Sequence, residues 1–505
     1  MNDTNKKYFN YLTLAGLLVL NFLFLKFNAF RGFDFYDMCF QLDGGWRIFS
    51  GQQPYTDFIY FSGPLHLYSL ALAFKIFGFG KTALLVHMLL VHSAVILAVY
   101  FMLRKKLPLF LTFLVTLLTT ASFMWPLSHP WHDLTAHLWG IAALALLVRH
   151  LPITSRRSIT MIYLTCGVLA GLAFMTKTPL GLLYGALFFS AAVSGPHRTK
   201  AGASCLGGFL AATGIVLIFI DVPAFIQQIT AYSLSESQVR FPALTGFGNW
   251  FVNYYWIIFF IMGANFFLYG RKKIQTAVVF TATIFTAILS VLTGGIEHSQ
   301  NIFLWGPVMG ISFWSLYQVK PLACQNWQKY VWRGSALSLT LLAAILIIIS
   351  IQYGLQRKVW TYSGKSAIGD YSIQTPPLQN WRCSHSQGIV LDQLARFIHN
   401  QVPKNDQLLI LTDMQILYAL TGRESYRGVP LFVMNAGHMP VPGHQAEMVR
   451  AELKSNPPDW IVTDIGSFMT LLPYLNFQQI MRDHYHQVQT FGTYAIFKKA
   501  HDAKI

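Results

Sequence analysis

The chain has 505 residues, of which 54% are hydrophobic and only 11% charged, with a formal net charge of +17. A mean hydropathy of +0.44, carried in repeated apolar runs long enough to cross about 30 Å of hydrocarbon, excludes a soluble protein and implies a polytopic α-helical membrane protein. The basic excess does not signal nucleic acid, because it arrives as short clusters between apolar spans, the pattern of loops retained at the cytoplasmic face.

In chain order, Lys6 and Lys7 precede a first span near residues 9–28, which has no small-residue cleavage site and reads as a retained helix entering from the inside. Further spans are predicted near 82–103, 108–125, 134–150, 158–176, 178–194, 202–220, 250–269, 274–292, 301–317 and 334–352. With about 11 transmembrane helices the N-terminus is inside and the C-terminus outside. The apolar segment Pro64 to Phe79 is short for a crossing and reads as a helix lying in the outer interface. That choice leaves Arg104 to Lys106, Arg149 with Arg156 and Arg157, Arg198 with Lys200, Arg271 to Lys273, and Lys320 with Lys329 and Arg333 all on the inner side. Residues 1–352 thus form a transmembrane module whose first outer loop, 31–80, carries interfacial helices. After Tyr353 the composition becomes that of a soluble protein: 353–382, with Pro376 and Pro377, reads as a linker, and 383–505 as an outer α/β domain ending in a strand pair. The cysteines Cys39, Cys166, Cys205, Cys324 and Cys383 show no paired spacing, so neither a disulfide framework nor a metal motif follows.

The predicted topology gathers the rare acids at one face. Residues 1–352 contain Asp3, Asp34, Asp37, Asp43, Asp57, Asp133, Asp221, Glu236 and Glu297 as their only carboxylates, and all but Asp3 fall outside. Carboxylates beside hydrocarbon are costly and mark functional sites. Asp34 and Asp37 stand three residues apart where the chain leaves the bilayer, on one face if that segment is helical, and burial beside a second carboxylate raises an aspartate towards the range of a useful base. An amphipathic helix stopped by Gly51, then a turn at Pro54-Tyr55-Thr56-Asp57, follows. The bland account is that these acids solvate a loop and cap a helix. Asp133, after His129 and His132 at the mouth of the fourth span, is placed both to cap that helix and to face a cavity, whereas two histidines three residues apart are a weak metal signal. Lys177 lies between two spans too close for a real loop; at the outer end it runs against the positive-inside pattern and calls for a phosphate or carboxylate partner, unless it merely snorkels. Arg240, Glu297 and His298 are further outer groups.

These motifs together resemble the GT-C-type integral membrane glycosyltransferases, the superfamily that contains the protein O-mannosyltransferases and the lipid A aminoarabinose transferase. The resemblance rests on the acids after the first span, Pro54-Tyr55-Thr56-Asp57-Phe58, Gly63-Pro64, Phe77-Gly78, the outer Asp133, Thr176-Lys177 and the C-terminal outer domain. It implies transfer of a sugar from a polyprenyl-phosphate donor to a lipid, polysaccharide or protein acceptor; the retained first span, the lack of an organelle signal and the lack of disulfide spacing suit a bacterial inner membrane, with the endoplasmic reticulum as the alternative. Asp37, or else Asp34, would act as base where many relatives carry adjacent acids. In that scheme Asp133 assists, Lys177 and Arg240 hold phosphate, and Tyr55, Asp57, His132, Glu297 and His298 line the substrate site. The leaving group is already a phosphate, so no metal is required, although the two carboxylates are also donors suited to a divalent ion. A transporter would instead distribute acids within spans and on both faces, and lacks here the internal repeat such proteins often show. A sensor or scaffold with an outer receptor domain leaves the polar first loop without a purpose.

Overall fold

The computed structural model describes residues 3–33, 35, 37–122, 132–151, 155–195, 197–231, 274–294, 304–319, 326–356, 369–429, 450–464 and 477–500. A long first helix, α1 (Asp3–Asn28), is followed by two short ones, α2 (Asp37–Phe49) and α3 (Leu65–Phe77). Then come α4 (Lys81–Leu103), α5 (Leu109–Ser122), α6 (His132–His150), α7 (Arg156–Phe174), α8 (Thr178–Val193) and α9 (Arg198–Leu217). A helical stretch at 222–231 precedes α10 (Ile274–Gly294), α11 (Trp305–Val319) and α12 (Asn326–Gln356). Every predicted span but one coincides with a helix; the exception, 250–269, lies outside the described residues. α1, α4, α7, α9 and α12 contain stretches long and apolar enough to cross a membrane. With 13 residues, α3 extends only about 20 Å and is too short to do so.

The helices are apolar outward and partly polar inward, as lipid-facing bundles are. Leu12, Val19, Leu90, Leu210, Ile218, Leu337 and Ile348 are exposed, whereas Thr112, Thr116, Thr119 and Thr120 of α5 are buried. Thr116 and Thr120 donate back to the carbonyls one turn earlier, at 2.7 and 3.0 Å, which satisfies hydroxyls that would otherwise be stranded. Between α7 and α9 the backbones touch: a Cβ on Gly167 would run into the Cys205 carbonyl, and one on Gly208 into that of Leu164. Small residues at such a contact allow dispersion to hold helices that lipid would otherwise separate.

The C-terminal part is α/β, with a hairpin of β1 (Tyr371–Ser372) and β2 (Arg382–Cys383), then α13 (His385–Gln401), β3 (Leu408–Leu411), α14 (Leu417–Leu420), β4 (Trp460–Asp464), α15 (Phe477–His484), β5 (Tyr485–Phe491) and β6 (Tyr494–Lys499). The sheet order is β3-β4-β6-β5; β3 and β4 run parallel, and the other pairs antiparallel. α13 packs Leu391, Leu394 and Ile398 against the sheet. Two boundaries differ from the sequence-based expectation. α12 continues to Gln356, and much of the expected linker is folded, because Ile373, Leu378 and Trp381 are buried and β1 pairs with β2. The prolines that suggest a linker sit inside this packed hairpin.

One apolar cluster joins the two parts. It contains Phe33, Phe35, Met38, Cys39 and Leu42 of the first loop and α2, Leu70 and Phe74 of α3, and Trp381, Leu391, Leu409, Tyr418 and Ile461 of the α/β part.

Candidate active site at one end of the bundle

Three short pieces of chain converge where α2 and α3 cover the bundle. The first is the turn between α7 and α8. Lys177 has an extended backbone (φ −146°, ψ 106°) and precedes an α8 whose first turn contains Pro179, a residue that opens helices without sacrificing a hydrogen bond. The second is Gly63-Pro64 at the entry to α3. Leu65 donates its backbone N–H to the Met175 carbonyl (3.0 Å) and Ser62 its hydroxyl to the Thr176 carbonyl (3.2 Å). Gly63 lies so close to the Met175 backbone that no Cβ fits. The glycine therefore seats the short helix on the lysine turn.

The third piece is the start of α6. Asp133 is 3% exposed and Lys177 9%, and Lys177 Nζ forms an ion pair with Asp133 Oδ1. Beside them Gln41 Nε2 donates to His132 Nδ1 (2.8 Å). That bond places the proton of the neutral ring on Nε2, 3.9 Å from Asp133 Oδ1. His66 Nδ1 shares a hydrogen bond with Thr135 Oγ1 (3.0 Å), and its ring lies 6.3 Å from that of His132 and 5.7 Å from that of His87. Ser69 Oγ donates to the His66 carbonyl (2.6 Å) and accepts from His87 Nε2 (2.9 Å). Phe40 stacks on Phe61 (5.4 Å) and presents its edge to His132 (6.5 Å).

The structure thus brings together Asp133, Lys177 and His132 of the predicted set. Asp37 is the first residue of α2, four positions before Gln41. Of the two rival acids, Asp37 is thus the one that α2 includes. Gly51, at φ +92°, ends the chain's run after α2 as expected. Tyr55 stands behind the site and not open to it: it is buried, adopts a left-handed backbone (φ 71°) and donates its hydroxyl to the Ser62 carbonyl. Burial pushes its phenol well above the ordinary value. Tyr55 N–H to the Phe58 carbonyl (2.9 Å) and Gln228 Nε2 to the Tyr55 carbonyl (3.0 Å) hold this strained turn. Asp57 accepts from the Gln53 N–H (2.7 Å) and pairs with the half-exposed Arg427 of the α/β part (3.0 Å). Asp34, Arg240, Glu297 and His298 lie outside the described residues.

Sequence reasoning missed Gln41, His66, Thr135 and the contacts of Asp43. Asp43 and Arg47 are fully buried and paired at 2.7 Å, with Ser425 Oγ donating to the other Asp43 oxygen at 2.6 Å. Burial pushes the Asp43 carboxyl up, against the pull of the Arg47 guanidinium and the Ser425 hydroxyl. A signal existed for His66, an imidazole inside a short, largely apolar helix, and for Arg47, one helical turn after Asp43; none announced Ser425, which lies 382 positions from Asp43. Among the described residues no group of three His, Cys, Asp or Glu is placed to hold a metal ion.

Such an end-of-bundle site has one buried cation already balanced by one carboxylate, with imidazoles beside them. It suits recognition of an anionic headgroup brought in along the bilayer. Residues 62–223 match the family model of dolichyl-phosphate-mannose-protein mannosyltransferase. Comparison with curated protein sequences finds no match. Among solved structures, the chain is similar to the crystal structure of ArnT from Cupriavidus metallidurans bound to undecaprenyl phosphate, at 12% identity and a TM-score of 0.58 over 97% of this chain and 98% of that one. It is similar also to ArnT from the same organism in the apo state, at 13% identity and a TM-score of 0.56 over 98% of both chains. Residues 62–223 are therefore similar to the dolichyl-phosphate-mannose-protein mannosyltransferase family model, and the fold as a whole is shared with ArnT over nearly the full length of both chains.

Proposed function

We propose that this chain is an inverting glycosyltransferase that moves a sugar from a polyprenyl-phosphate donor to an acceptor hydroxyl at the extracytoplasmic face of a bacterial inner membrane. The observation that carries the reading is the buried Asp133–Lys177 pair at the end of the bundle, beneath the helix that Asp37 opens. Helical spacing puts positions 37 and 41 on one face of α2, and Gln41 reaches His132 next to that pair. Asp37, with Asp34 as its rival, takes the proton of the acceptor hydroxyl. The acceptor oxygen forms a bond to the anomeric carbon while the bond from that carbon to the phosphate oxygen breaks, and the electron pair leaves on the polyprenyl phosphate. Lys177, with Arg240, stabilises the departing phosphate, and Asp133 holds the Lys177 ammonium in position until the headgroup arrives. ArnT's capture with undecaprenyl phosphate supports a donor of that class.

The test is transfer by purified protein from radiolabelled polyprenyl-phosphate sugars to membrane lipid, glycan and protein fractions, for the wild type and for Asp37→Asn, Asp34→Asn and Asp133→Asn. Full transfer by all three variants would show the site to be wrong. Solute movement into vesicles without transfer would establish a transporter instead.

A further inference from the structure

We propose that the α/β domain is a working part of the catalytic site: it holds the acid-bearing start of α2 through Arg47, a positioning residue acting by way of Asp43. This rests on the transfer reading above and adds to it a role for a residue and a domain that the chemistry itself does not require. The segment that contains both rival acids is gripped by the domain on each side. Before the acids, the backbone of the first loop joins β2 as a third strand would: Phe33 N–H donates to the Arg382 carbonyl (2.7 Å) and Arg382 N–H to the Phe30 carbonyl (2.9 Å). The Trp381 ring is wedged edge-on against Phe30 and Phe33, at 5.2 and 5.1 Å.

After the acids, Arg47 makes the second grip. Its Nε donates to Asp43 Oδ2 (2.7 Å), and its Nη1 to the Tyr426 carbonyl (2.7 Å) and to Gln52 Oε1 (3.3 Å). Its guanidinium lies over the Phe58 and Tyr418 rings, 5.3 and 5.9 Å from their centroids. From the domain side, Ser425 Oγ donates to Asp43 Oδ1 (2.6 Å), Gln52 Nε2 donates to the Ser425 carbonyl (2.5 Å), and Trp46 Nε1 donates to the Arg423 carbonyl (2.8 Å). An ion pair without solvent exposure is a poor way to gain stability, since an apolar pair of the same shape does as well or better; what it supplies is one fixed arrangement. A planar fork that reaches a carboxylate and a backbone carbonyl at once fixes the rotation of α2 about its axis as well as its place. Since Asp37 opens that helix, the domain sets where the base stands.

The experiment uses the full-length protein in detergent, with Arg47→Met and Ser425→Ala, and with undecaprenyl-phosphate-linked mannose and aminoarabinose as donor probes. Ser425→Ala removes a single hydroxyl from the domain, a milder change that still reports on the grip should Arg47→Met fail to fold. The expected result is a kcat per folded molecule lowered on the order of 10–100-fold for Arg47→Met. Ser425→Ala lowers it severalfold, and the donor KM stays within about threefold in both. Amide exchange should accelerate across residues 34–42 and stay unchanged at the α7–α8 turn. If folded variants melt earlier yet keep the wild-type kcat, or if exchange across 34–42 does not change, the grip is structural only and the inference is overturned. If the wild type turns over while Asp37→Asn and Asp34→Asn do not, and Arg47→Met equals the wild type, this inference alone fails. If the wild type uses neither donor, exchange across 34–42 decides by itself whether the domain holds the segment, and the transfer reading is decided by the wider set of polyprenyl-phosphate sugars.

Discussion

Removing either partner of the buried Asp133–Lys177 pair has two separable effects, and their separation tests the site. The carboxylate and ammonium are 3% and 9% exposed, so a lone survivor keeps nearly all of its desolvation cost without its counter-charge. Lys177→Met or Asp133→Leu should each destabilise the protein by about 3–5 kcal/mol. Removing both together, as Lys177→Met with Asp133→Leu, leaves no stranded charge and should cost less than about 2 kcal/mol, a coupling well above that of independent sites. Catalysis should behave otherwise: Lys177→Met lowers transfer about 10²–10³-fold if its ammonium meets the developing phosphate charge. The double variant recovers stability and recovers no activity. Denaturant titration followed by tryptophan fluorescence, together with single-turnover transfer, measures both. Additive stabilities would refute the buried pair; a double variant as active as the wild type would refute its role in transfer.

Other perturbations probe the frame around the pair. Gly63→Ala puts a methyl group into the Met175 backbone and breaks the seat of α3, at a cost of about 1–3 kcal/mol; thermal scanning should show a lower midpoint and transfer should fall with it, and an unchanged midpoint refutes the packing. Asp392, 1% exposed, accepts from the N–H groups of Gln374 and Thr375 at 2.9 Å each and from the hydroxyls of Tyr371 at 2.7 Å and Thr375 at 2.5 Å. Asp392→Asn replaces an acceptor with a donor and should loosen residues 371–375 by about 2–3 kcal/mol, read by faster amide exchange there in the full chain. Arg240→Ala should lower kcat about tenfold or more and shift the donor KM less, if Arg240 is the second cation on the leaving phosphate; unchanged kinetics would remove it from the site.

The helical bundle was legible because lipid imposes a simple pattern: long apolar runs with basic clusters between them locate helices such as α4 and α9 to within a few residues. The strands of the α/β domain were legible for a similar reason, since β3 is an apolar run and β5 and β6 flank Gly492. In the site, Lys177 and Asp133 announced themselves by being charged where charge is costly, and the need of Lys177 for an anion is met by Asp133. What sequence did not reveal is whatever depends on contacts between distant segments. Asp43 looks like any loop acid until Ser425 and Arg47 are seen to enclose it. Residues 369–382 look like linker because of Pro376-Pro377, while the burial of Trp381 and Ile373 depends on a partner surface no local pattern encodes. At the start of α2, likewise, Phe35 and Met38 enter the apolar cluster shared with the α/β part, a contact that no local pattern encodes.

Counting charges at the bundle end sets a condition on the chemistry. Lys177 and Asp133 sum to zero, and His132, hydrogen-bonded to Gln41 through Nδ1, brings its Nε2 to 3.9 Å from the Asp133 carboxylate. A polyprenyl-phosphate sugar enters as a single negative charge on phosphate and leaves as a phosphate monoester carrying up to two, so the reaction adds negative charge to a site with no net cation among these groups. Lys177 can serve the leaving group only if its hold on Asp133 loosens as the phosphate comes in, and Asp133 must then be compensated in place. His132 is the group already positioned for that: a proton taken up by its ring turns an imidazole beside Asp133 into an imidazolium beside it, provided Gln41 turns its amide oxygen toward Nδ1. The proton that the proposed first-loop base removes from the acceptor would supply that charge while Lys177 holds the phosphate. The lysine–aspartate pair and the histidine beside it fit that proposal, whereas a lysine that merely snorkelled to headgroups would have had no use for a buried carboxylate.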